Sequence, residues 1–308
     1  MKRFLRVTGW SLLAVVVASS VIVGVRFGIA QAAVDRFDRT PPTRLESIGT
    51  VEHLTILPLF EKATSSTDLA MGHGVGYLVQ TDAGTILVDV GFNPENLDPS
   101  PIEQNMAALG VTLDTIDTIF ITHHHPDHTG GVTWWQQGTF SLGTTQVDLA
   151  DKQILTPIAL TYPGAKPEAA AAPRVLAPGI VALGAIPFVD VFPLSLVRPQ
   201  MIEQVLAVNV ADVGVILISG CGHPGLERMV ETAEQVLGQP VAGIVGGLHY
   251  GEGVTPAVNA GIALLEEHDA ALVALSPHDT GAAGLKAFAT AFGAAYHPVA
   301  VGEPIVVR

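Results

Sequence analysis

The segment from Ile119 to Gly131 limits the possible folds of this chain more than any other part of its sequence. Apolar residues at 119–121 lead, after one threonine, into His-His-His-Pro-Asp-His at 123–128. Residues of that type before the histidines favour a buried strand, and Pro126 prevents a helix from starting there. The segment is therefore predicted to be a strand that ends in a rigid loop rich in metal-binding side chains.

The spacing of these side chains points to metal ligation. Side chains two residues apart on an extended strand end point to the same side, so His123 and His125 can converge on one cation. Asp127 and His128 lie where the chain turns and can reach a second. His124 points away from the pair and is expected to support the site or to be exposed. The alternative is a solvated loop, or core histidines satisfied by hydrogen bonds.

Length and composition indicate a globular protein with a sizeable core. The chain has 308 residues, 48% hydrophobic and 14% charged, which fits one large α/β domain or two small ones. The formal net charge of −14, without a local basic patch, argues against nucleic-acid partners. A single cysteine, Cys221, excludes an internal disulfide.

The N-terminal 34 residues are predicted to be a membrane leader. Lys2, Arg3 and Arg6 precede an uncharged stretch from Val7 to Val25, which is about long enough to span a bilayer. Positive charge stays on the cytoplasmic side, so the body is expected to be exported. The leader is either an uncleaved signal anchor or a signal peptide cleaved near Ala30-Gln31-Ala32. Residues 35–44, with two prolines, are predicted to be a linker to a domain spanning 45–308.

Apolar runs and turn residues predict alternating strands and helices in this domain. Residues 139–200 are broken by prolines and resist assignment, although 169–172 is expected to be a flexible surface loop. Trp134 and Trp135 are expected to belong to a helix and to pack in the core. Elsewhere the predicted strands are 51–60, 76–79, 85–90, 115–121, 204–210, 214–218, 242–245, 271–275 and 304–307, and the predicted helices 101–109, 226–237 and 257–267.

Three histidines in the second half follow apolar strands. They are His223, His249 and His278, each at the start of a loop. A single such residue is equally well explained as a buried imidazole satisfied by hydrogen bonds. A site for two metal ions needs more than four ligands, so the three together favour a shared site with the 123–128 loop.

The H-x-H-x-D-H pattern resembles the metallo-β-lactamase-fold superfamily, and the resemblance extends from about Ser47 to Val307. Three strings are similar to a branch of metal-dependent hydrolases related to the archaeal dihydropterin ribofuranosylaminobenzene phosphate synthase. They are Gly-Cys-Gly-His-Pro-Gly at 220–225, Gly-Gly-Leu-His at 246–249 and Pro-His-Asp-Thr-Gly at 277–281. His73-Gly74 and Glu203-Gln204 also match that branch. The resemblance implies a four-layer αββα sandwich with the metal site at the edge of the two sheets.

The same resemblance implies a division of the ligands. It assigns His123, His125 and His223 to a first ion, and Asp127, His128 and His278 to a second.

Asp89, at the end of a buried strand, corresponds to an aspartate that orients the metal loop by hydrogen bonds, although a turn aspartate is the alternative. His73 lies between glycines and is either in contact with substrate or part of a simple turn.

Two positions depart from the family pattern. Cys221 stands where better-known members carry a bridging aspartate, and it is either a metal ligand or a buried apolar residue. If it is a ligand, the change in length and softness could leave only one ion tightly held. Asp279 stands where the closer branch often has cysteine, which argues against that branch's own chemistry in this chain.

These features predict an exported, metal-dependent hydrolase of a small-molecule ester, lactone, amide or phosphoester. The ion is expected to be one or two Zn²⁺, with manganese and iron left open. In this hypothesis a metal-bound hydroxide attacks, Asp127 orients it and takes its proton, and His249 stabilises charge or protonates the leaving group. The alternatives are a C–N bond-forming transferase acting on a pterin and a ribofuranosyl phosphate, and a non-catalytic metal-binding protein.

Overall fold

A computed structural model describes residues 2–64, 66–190 and 200–308, with side chains from residue 16 onward in the first helix. Within these residues the helices are α1 (Lys2–Asp38), α2 (Pro101–Ala108), α3 (Val132–Gln136), α4 (Leu226–Leu237), α5 (Pro256–Glu267) and α6 (Ala282–Phe292). The strands are β1 (Leu54–Phe60), β2 (Gly76–Thr81), β3 (Gly84–Val88), β4 (Thr118–Phe120), β5 (Gln153–Thr156), β6 (Glu168–Ala169), β7 (Arg174–Ala177), β8 (Ile180–Ala182), β9 (Ile186–Val189), β10 (Gln200–Glu203), β11 (Leu206–Val210), β12 (Gly214–Ser219), β13 (Val241–Gly246), β14 (Leu272–Leu275) and β15 (Ile305–Val307).

The chain divides into two compact units. The smaller consists of residues 1–41 and 187–201, and the larger of residues 42–186 and 202–308. The smaller unit contains α1, in which Val16–Asp38 is long and apolar enough to cross a membrane. A signal sequence would meet the same criterion. The helix ends at Asp38, so the first four residues of the predicted linker are helical.

The first sheet of the larger unit has the strand order β15-β1-β2-β3-β4-β5-β6. Its central strands are apolar on both faces because alternate side chains enter two different cores. In β2, Tyr77 and Val79 belong to one buried cluster and Leu78 belongs to another. The second cluster also contains Ile102 of α2, which covers the outer face of this sheet.

The second sheet has the order β14-β13-β12-β11-β8-β7. The strands β12, β13 and β14 run parallel, joined by the crossover helices α4 and α5. α4 buries an apolar stripe that includes Met229, Val230 and Ala233, and it ends at Gly238, whose left-handed φ of +66° suits glycine. Helix, sheet, sheet and helix thus form four layers.

The main core lies between the two sheets. Phe120 and Val88 from the first sheet share a buried cluster with Ile216, Ile218 and Val245 from the second. The parallel strands of both sheets therefore end near one another, which places their following loops at one edge. The predicted α/β fold class is confirmed.

The region that resisted assignment contains short strands rather than one long loop. β5 to β8 extend both sheets, and Ala169, expected in a flexible loop, pairs in β6 with Thr156. Residues 191–199 of that region, and Met1 of the leader, lie outside the described residues. The expectation of core tryptophans is wrong: Trp134 and Trp135 in α3 are only half-buried. Their indole N–H groups donate to the carbonyl oxygens of Gly143 and His124.

Candidate metal centre

The candidate site is formed by loops that follow the carboxyl ends of parallel strands. β4 leads into the loop carrying His123 to His128, and β12, β13 and β14 lead into the loops carrying His223, His249 and His278. Backbone polar groups and side chains at such strand ends face a common crevice. Five loops from distant parts of the sequence, including that of Asp89 after β3, therefore meet at one place.

One group of potential ligands consists of His123, His125 and His223. One donor atom from each lies within 4.8 Å of the others. His123 Nε2 is 3.1 Å from His125 Nδ1, and the ring centroids of His123 and His223 are 4.9 Å apart. The structure thus brings together the three residues assigned by resemblance to the first ion.

A second group shares His123 and adds His128 and Cys221, again within 4.8 Å. His128 Nε2 lies 3.1 Å from Cys221 Sγ, and Cys221 is only 3% exposed. The cysteine is therefore both buried and placed where a thiolate could bind an ion. Its loop turns sharply at Gly222, where φ is +69° and a Cβ would collide with the carbonyl oxygen of Gly247.

A third group consists of His73, Asp127 and His278. His278 Nε2 lies 3.2 Å from Asp127 Oδ2, and His278 Nδ1 accepts a 3.0 Å hydrogen bond from the backbone N–H of Gly74. Gly74 packs directly against the backbone oxygen of Asp127, so a side chain at position 74 would separate the two loops. His73 therefore lies among potential ligands, whereas the sequence suggested contact with substrate.

Asp89 lies beneath the histidine loop and is fully buried. Its carboxylate accepts hydrogen bonds from the backbone N–H and hydroxyl of Thr122, both at 2.7 Å, and lies 2.7 Å from His128 Nδ1. An Nδ1–H donated to Asp89 leaves the Nε2 lone pair of His128 free for a cation. Asp89 is held at φ +58°, a conformation that few residues other than glycine adopt.

Comparisons with known proteins agree with this architecture. Residues 71–140 match the model of the Metallo-beta-lactamase superfamily. The structure of Tm1679, described as a metal-dependent hydrolase of the beta-lactamase superfamily, superposes with a TM-score of 0.59 at 17% identity and covers 82% of this chain and 98% of its own. The chain has the metallo-β-lactamase fold.

Two further proteins extend the comparison. The metallo-beta-lactamase fold protein YhfI from Bacillus subtilis superposes with a TM-score of 0.55 at 14% identity, covering 83% of this chain and 100% of its own. The 7,8-dihydropterin-6-methyl-4-(beta-D-ribofuranosyl)-aminobenzene-5'-phosphate synthase of Methanocaldococcus jannaschii is 25% identical over 244 residues, which is 67% of this chain and 80% of the synthase. The resemblance predicted from the sequence is confirmed.

A metallo-β-lactamase fold implies a divalent metal, and the side chains fit one. Imidazole nitrogens, one thiol and one carboxylate are the donors that zinc and similar ions prefer in proteins. Two of the three groups of donors share His123, and the third lies beside them, since the rings of His128 and His278 have centroids 5.6 Å apart.

The charges in this metallo-β-lactamase-fold site complement one another. Burial lowers the pKa of His123 well below its usual value, and the neighbouring histidines lower it further. Burial would also lower the pKa of His128, but Asp89 and Asp127 raise it to about 9. Burial opposes ionisation of Asp127, yet His128 and His278 hold the pKa of its carboxyl below the usual range. Neutral His123 and ionised Asp127 are in the forms that bind cations.

Two predicted site histidines lie outside the three groups. The ring of His249 is exposed and its centroid is 4.3 Å from that of His223, while its backbone N–H donates to the half-buried Asp279. His124 is buried rather than exposed, with its ring centroid 6.3 Å from that of Trp135. His249 thus borders the site at its solvent side, and His124 packs behind the loop.

The grouping differs in one respect from the division implied by the resemblance. His128 shares a group with Cys221, whereas Asp127 and His278 share theirs with His73.

Sequence reasoning gave no role to Glu61 or Glu203, which are fully buried beside the loops. Burial raises the pKa of both carboxyls. The available signals were an acidic residue directly after the apolar strand β1 for Glu61, and the match of Glu203-Gln204 to the closer branch for Glu203.

Proposed function

We propose that this chain is an exported, metal-dependent hydrolase. The observation that carries the proposal is the convergence of three groups of donors, from four loops, at one edge of a metallo-β-lactamase fold. Ligands supplied from so many separate loops are costly to bring together unless an ion offsets the repulsion and desolvation of the buried groups. Hydrolysis is the chemistry that such a centre supports most directly.

Seven side chains would hold one or two ions, with His73 as a further candidate. Imidazole and thiol donors favour Zn²⁺ over harder ions, although manganese and iron also accept imidazole and carboxylate. The seven are His123, His125, Asp127, His128, Cys221, His223 and His278. A divalent cation bound by them would make water acidic and polarise the carbonyl or phosphoryl oxygen of an ester, lactone, amide or phosphoester.

Asp127 and His249 are proposed as the catalytic side chains. The side chain of Asp127 is 24% exposed, and its pKa is lowered, so at neutral pH it is a carboxylate that can orient a water molecule and accept its proton. His249 lies at the exposed side of the centre next to His223, where a leaving group would depart. Its imidazole could protonate that group or stabilise its charge.

A C–N bond-forming transfer is the second candidate. It is favoured by the 25% identity to the archaeal synthase, which extends over 80% of that protein. Asp279, which stands where that branch often has cysteine, and the apolar helix α1 both weigh against it. Assays with a pterin and a ribofuranosyl phosphate would distinguish the two, because the hydrolase would form no joined product.

The proposed partners are a small-molecule substrate and, through α1, a membrane. Either an anchor or a cleaved signal peptide would place the domain outside the cytoplasm. The formal net charge of −14 disfavours binding to a phosphate backbone.

The decisive experiment couples metal analysis to a substrate panel. Purified protein is expected to contain zinc and to hydrolyse at least one ester, lactone, phosphodiester or β-lactam. His125→Ala should lose an ion and nearly all turnover together, while His53→Ala, at an exposed histidine beside Asp82, should retain both. Zinc without turnover across the panel would favour a non-catalytic metal-binding protein, and turnover by a metal-free variant would contradict the proposal.

A further inference from the structure

Glu203 has an unusual set of partners for a buried carboxylate. Its Oε1 accepts hydrogen bonds from the backbone N–H groups of Cys221 and Gly222 at 3.2 and 2.9 Å, and its Oε2 accepts one from His223 at 2.8 Å. Three successive amides thus point at one side chain, the arrangement in which backbone binds an anion. The carboxylate fixes the turn that carries two candidate ligands.

The backbone around Glu203 also holds the histidine loop. Residue 203 forms an antiparallel bridge with His123. The backbone N–H of Gln204 donates to the carbonyl of Thr122 at 2.8 Å, and the Gln204 side chain donates to the carbonyl of Ile121 at 2.8 Å. Glu203 and Gln204 therefore connect the segment after β4 to the loop after β12.

Glu61 plays the corresponding part on the other side of the site. Its Oε1 accepts hydrogen bonds from the hydroxyls of Tyr77, at 2.6 Å, and Ser276, while its Oε2 accepts one from the backbone N–H of Lys62 at 2.8 Å. The Ser276 oxygen in turn accepts the backbone N–H of His278 at 3.1 Å. Glu61 thus fixes the loop of His278 through one hydroxyl.

The carbonyl of Glu61 reaches a second ligand loop. It accepts the backbone N–H of Gly72, directly before His73. His278 therefore depends on the side chain of residue 61, and His73 depends on its backbone. These are the two histidines of the third group. Burying a carboxylate costs several kcal/mol unless its lone pairs are satisfied. An acidic residue in the core at position 61 or 203 is therefore costly unless these hydrogen bonds form.

We propose that Glu203 and Glu61 are positioning residues that hold separate halves of the metal centre. Glu203 sets the loop of Cys221 and His223, and Glu61 sets the loop of His278. Removing the contacts of one of these residues should then disturb the geometry of its own half and leave the other half in place. This inference rests on the proposed metal site, but its test measures ion binding rather than turnover, so an inactive protein with the expected binding would overturn only the proposed hydrolysis.

The test is a titration of the metal-free full-length protein with Co²⁺. Thiolate-to-cobalt absorption reports the half with Cys221, and the remaining binding isotherm reports the half with His278. Glu203→Gln should lower the affinity for the ion that shows thiolate absorption by about 10–100-fold and leave the affinity for the other ion unchanged. Ser276→Ala, which cuts the link from Glu61 to His278, should weaken the other ion by a similar factor and leave thiolate absorption intact.

Controls separate positioning from general damage. Glu168→Gln changes an exposed carboxylate paired with Arg174 and should alter neither ion. Glu203→Asp retains the charge at shorter reach, so it should fall between wild type and Glu203→Gln, and it replaces that variant if the latter does not fold.

The proposal would be overturned if either variant lowered the affinity for both ions equally. It would also be overturned if neither variant lowered the affinity for any ion. Uptake of a single ion by the wild type would overturn the part that concerns Glu61.

Discussion

Asp89 is the residue on which the orientation of the histidine loop depends. In Asp89→Asn, the amide nitrogen would face His128 Nδ1, which would have to accept rather than donate. The proton would then sit on Nε2, the atom that faces Cys221. We expect metal affinity to fall by about 10–100-fold with the fold retained. Equilibrium dialysis with metal analysis measures this.

The matched control is Asp117→Asn, which alters an exposed aspartate that accepts the backbone N–H of Thr85 at 2.8 Å. It should leave affinity unchanged, and an equal loss in both variants would contradict a specific role for Asp89.

The raised pKa of His128 predicts how the metal-free protein responds to pH. Its folded-state pKa of about 9 lies above the ordinary histidine value of about 6.5. A group with a raised pKa contributes stability that is complete below about pH 6.5 and is lost as the pH rises through about 9. In the presence of chelator, the melting temperature should therefore fall more steeply over this pH range for wild type than for His128→Gln. Parallel curves would contradict the prediction.

Single residues show where sequence reasoning reached its limit. His123, His125 and His223 were predictable because the H-x-H spacing and a histidine after an apolar strand are visible along the chain. The hydrogen bonds of Glu61 and Glu203 were not, since their partners are backbone N–H groups and hydroxyls up to 215 positions away. The pairing of His128 with Cys221 was hidden for the same reason: no pattern along a chain reports which donors end 3.1 Å apart.

At the scale of elements, the turn after β12 is expected to be especially sensitive to substitution. Gly222→Ala forces an alanine to a φ of +69° and directs its Cβ at the carbonyl of Gly247. The conformation alone costs about 1–2 kcal/mol, and the collision should displace Cys221 and His223. We expect reduced stability together with weaker ion binding, measured by chemical denaturation and by Co²⁺ titration.

Gly110→Ala is its matched control, because Gly110 has the same φ of +69° with nothing within 4 Å of a Cβ. It should cost stability by about the same 1–2 kcal/mol and leave ion binding intact. A loss of ion binding in both variants, or in neither, would show that the collision at Gly222 is not what matters.

Long amphipathic or uniformly apolar elements were predictable, and short ones were not. The face of α4 and its glycine end are explicit in the sequence, and the helix runs from Leu226 to Leu237 as expected. β6 has two residues and β8 has three, too few for a period to be recognised. Their place in the sheets comes from pairing with distant strands, which the chain encodes only through tertiary packing.

At the scale of the whole molecule, α1 sets the expected location of the chain. When the full-length protein is produced in a bacterial host, an anchor predicts a carbonate-resistant membrane fraction, and the larger unit should be digested by protease added to spheroplasts. A cleaved leader predicts a soluble exported protein whose N-terminus begins near Ala33. Replacing Lys2, Arg3 and Arg6 with glutamine should impair export in both cases. Protection from protease, with the chain full-length, would contradict export.

The position of Cys221 has a practical use. The chain carries one thiol, which belongs to one of the donor groups and is buried rather than on the surface. Any adduct of a maleimide or iodoacetamide probe must therefore come from this buried site, and we expect it to form only when the site opens. A shift in intact mass would then report loss of the metal from this site in living cells. Labelling of Cys221 could therefore be used to follow how metal starvation lowers the occupancy of the site.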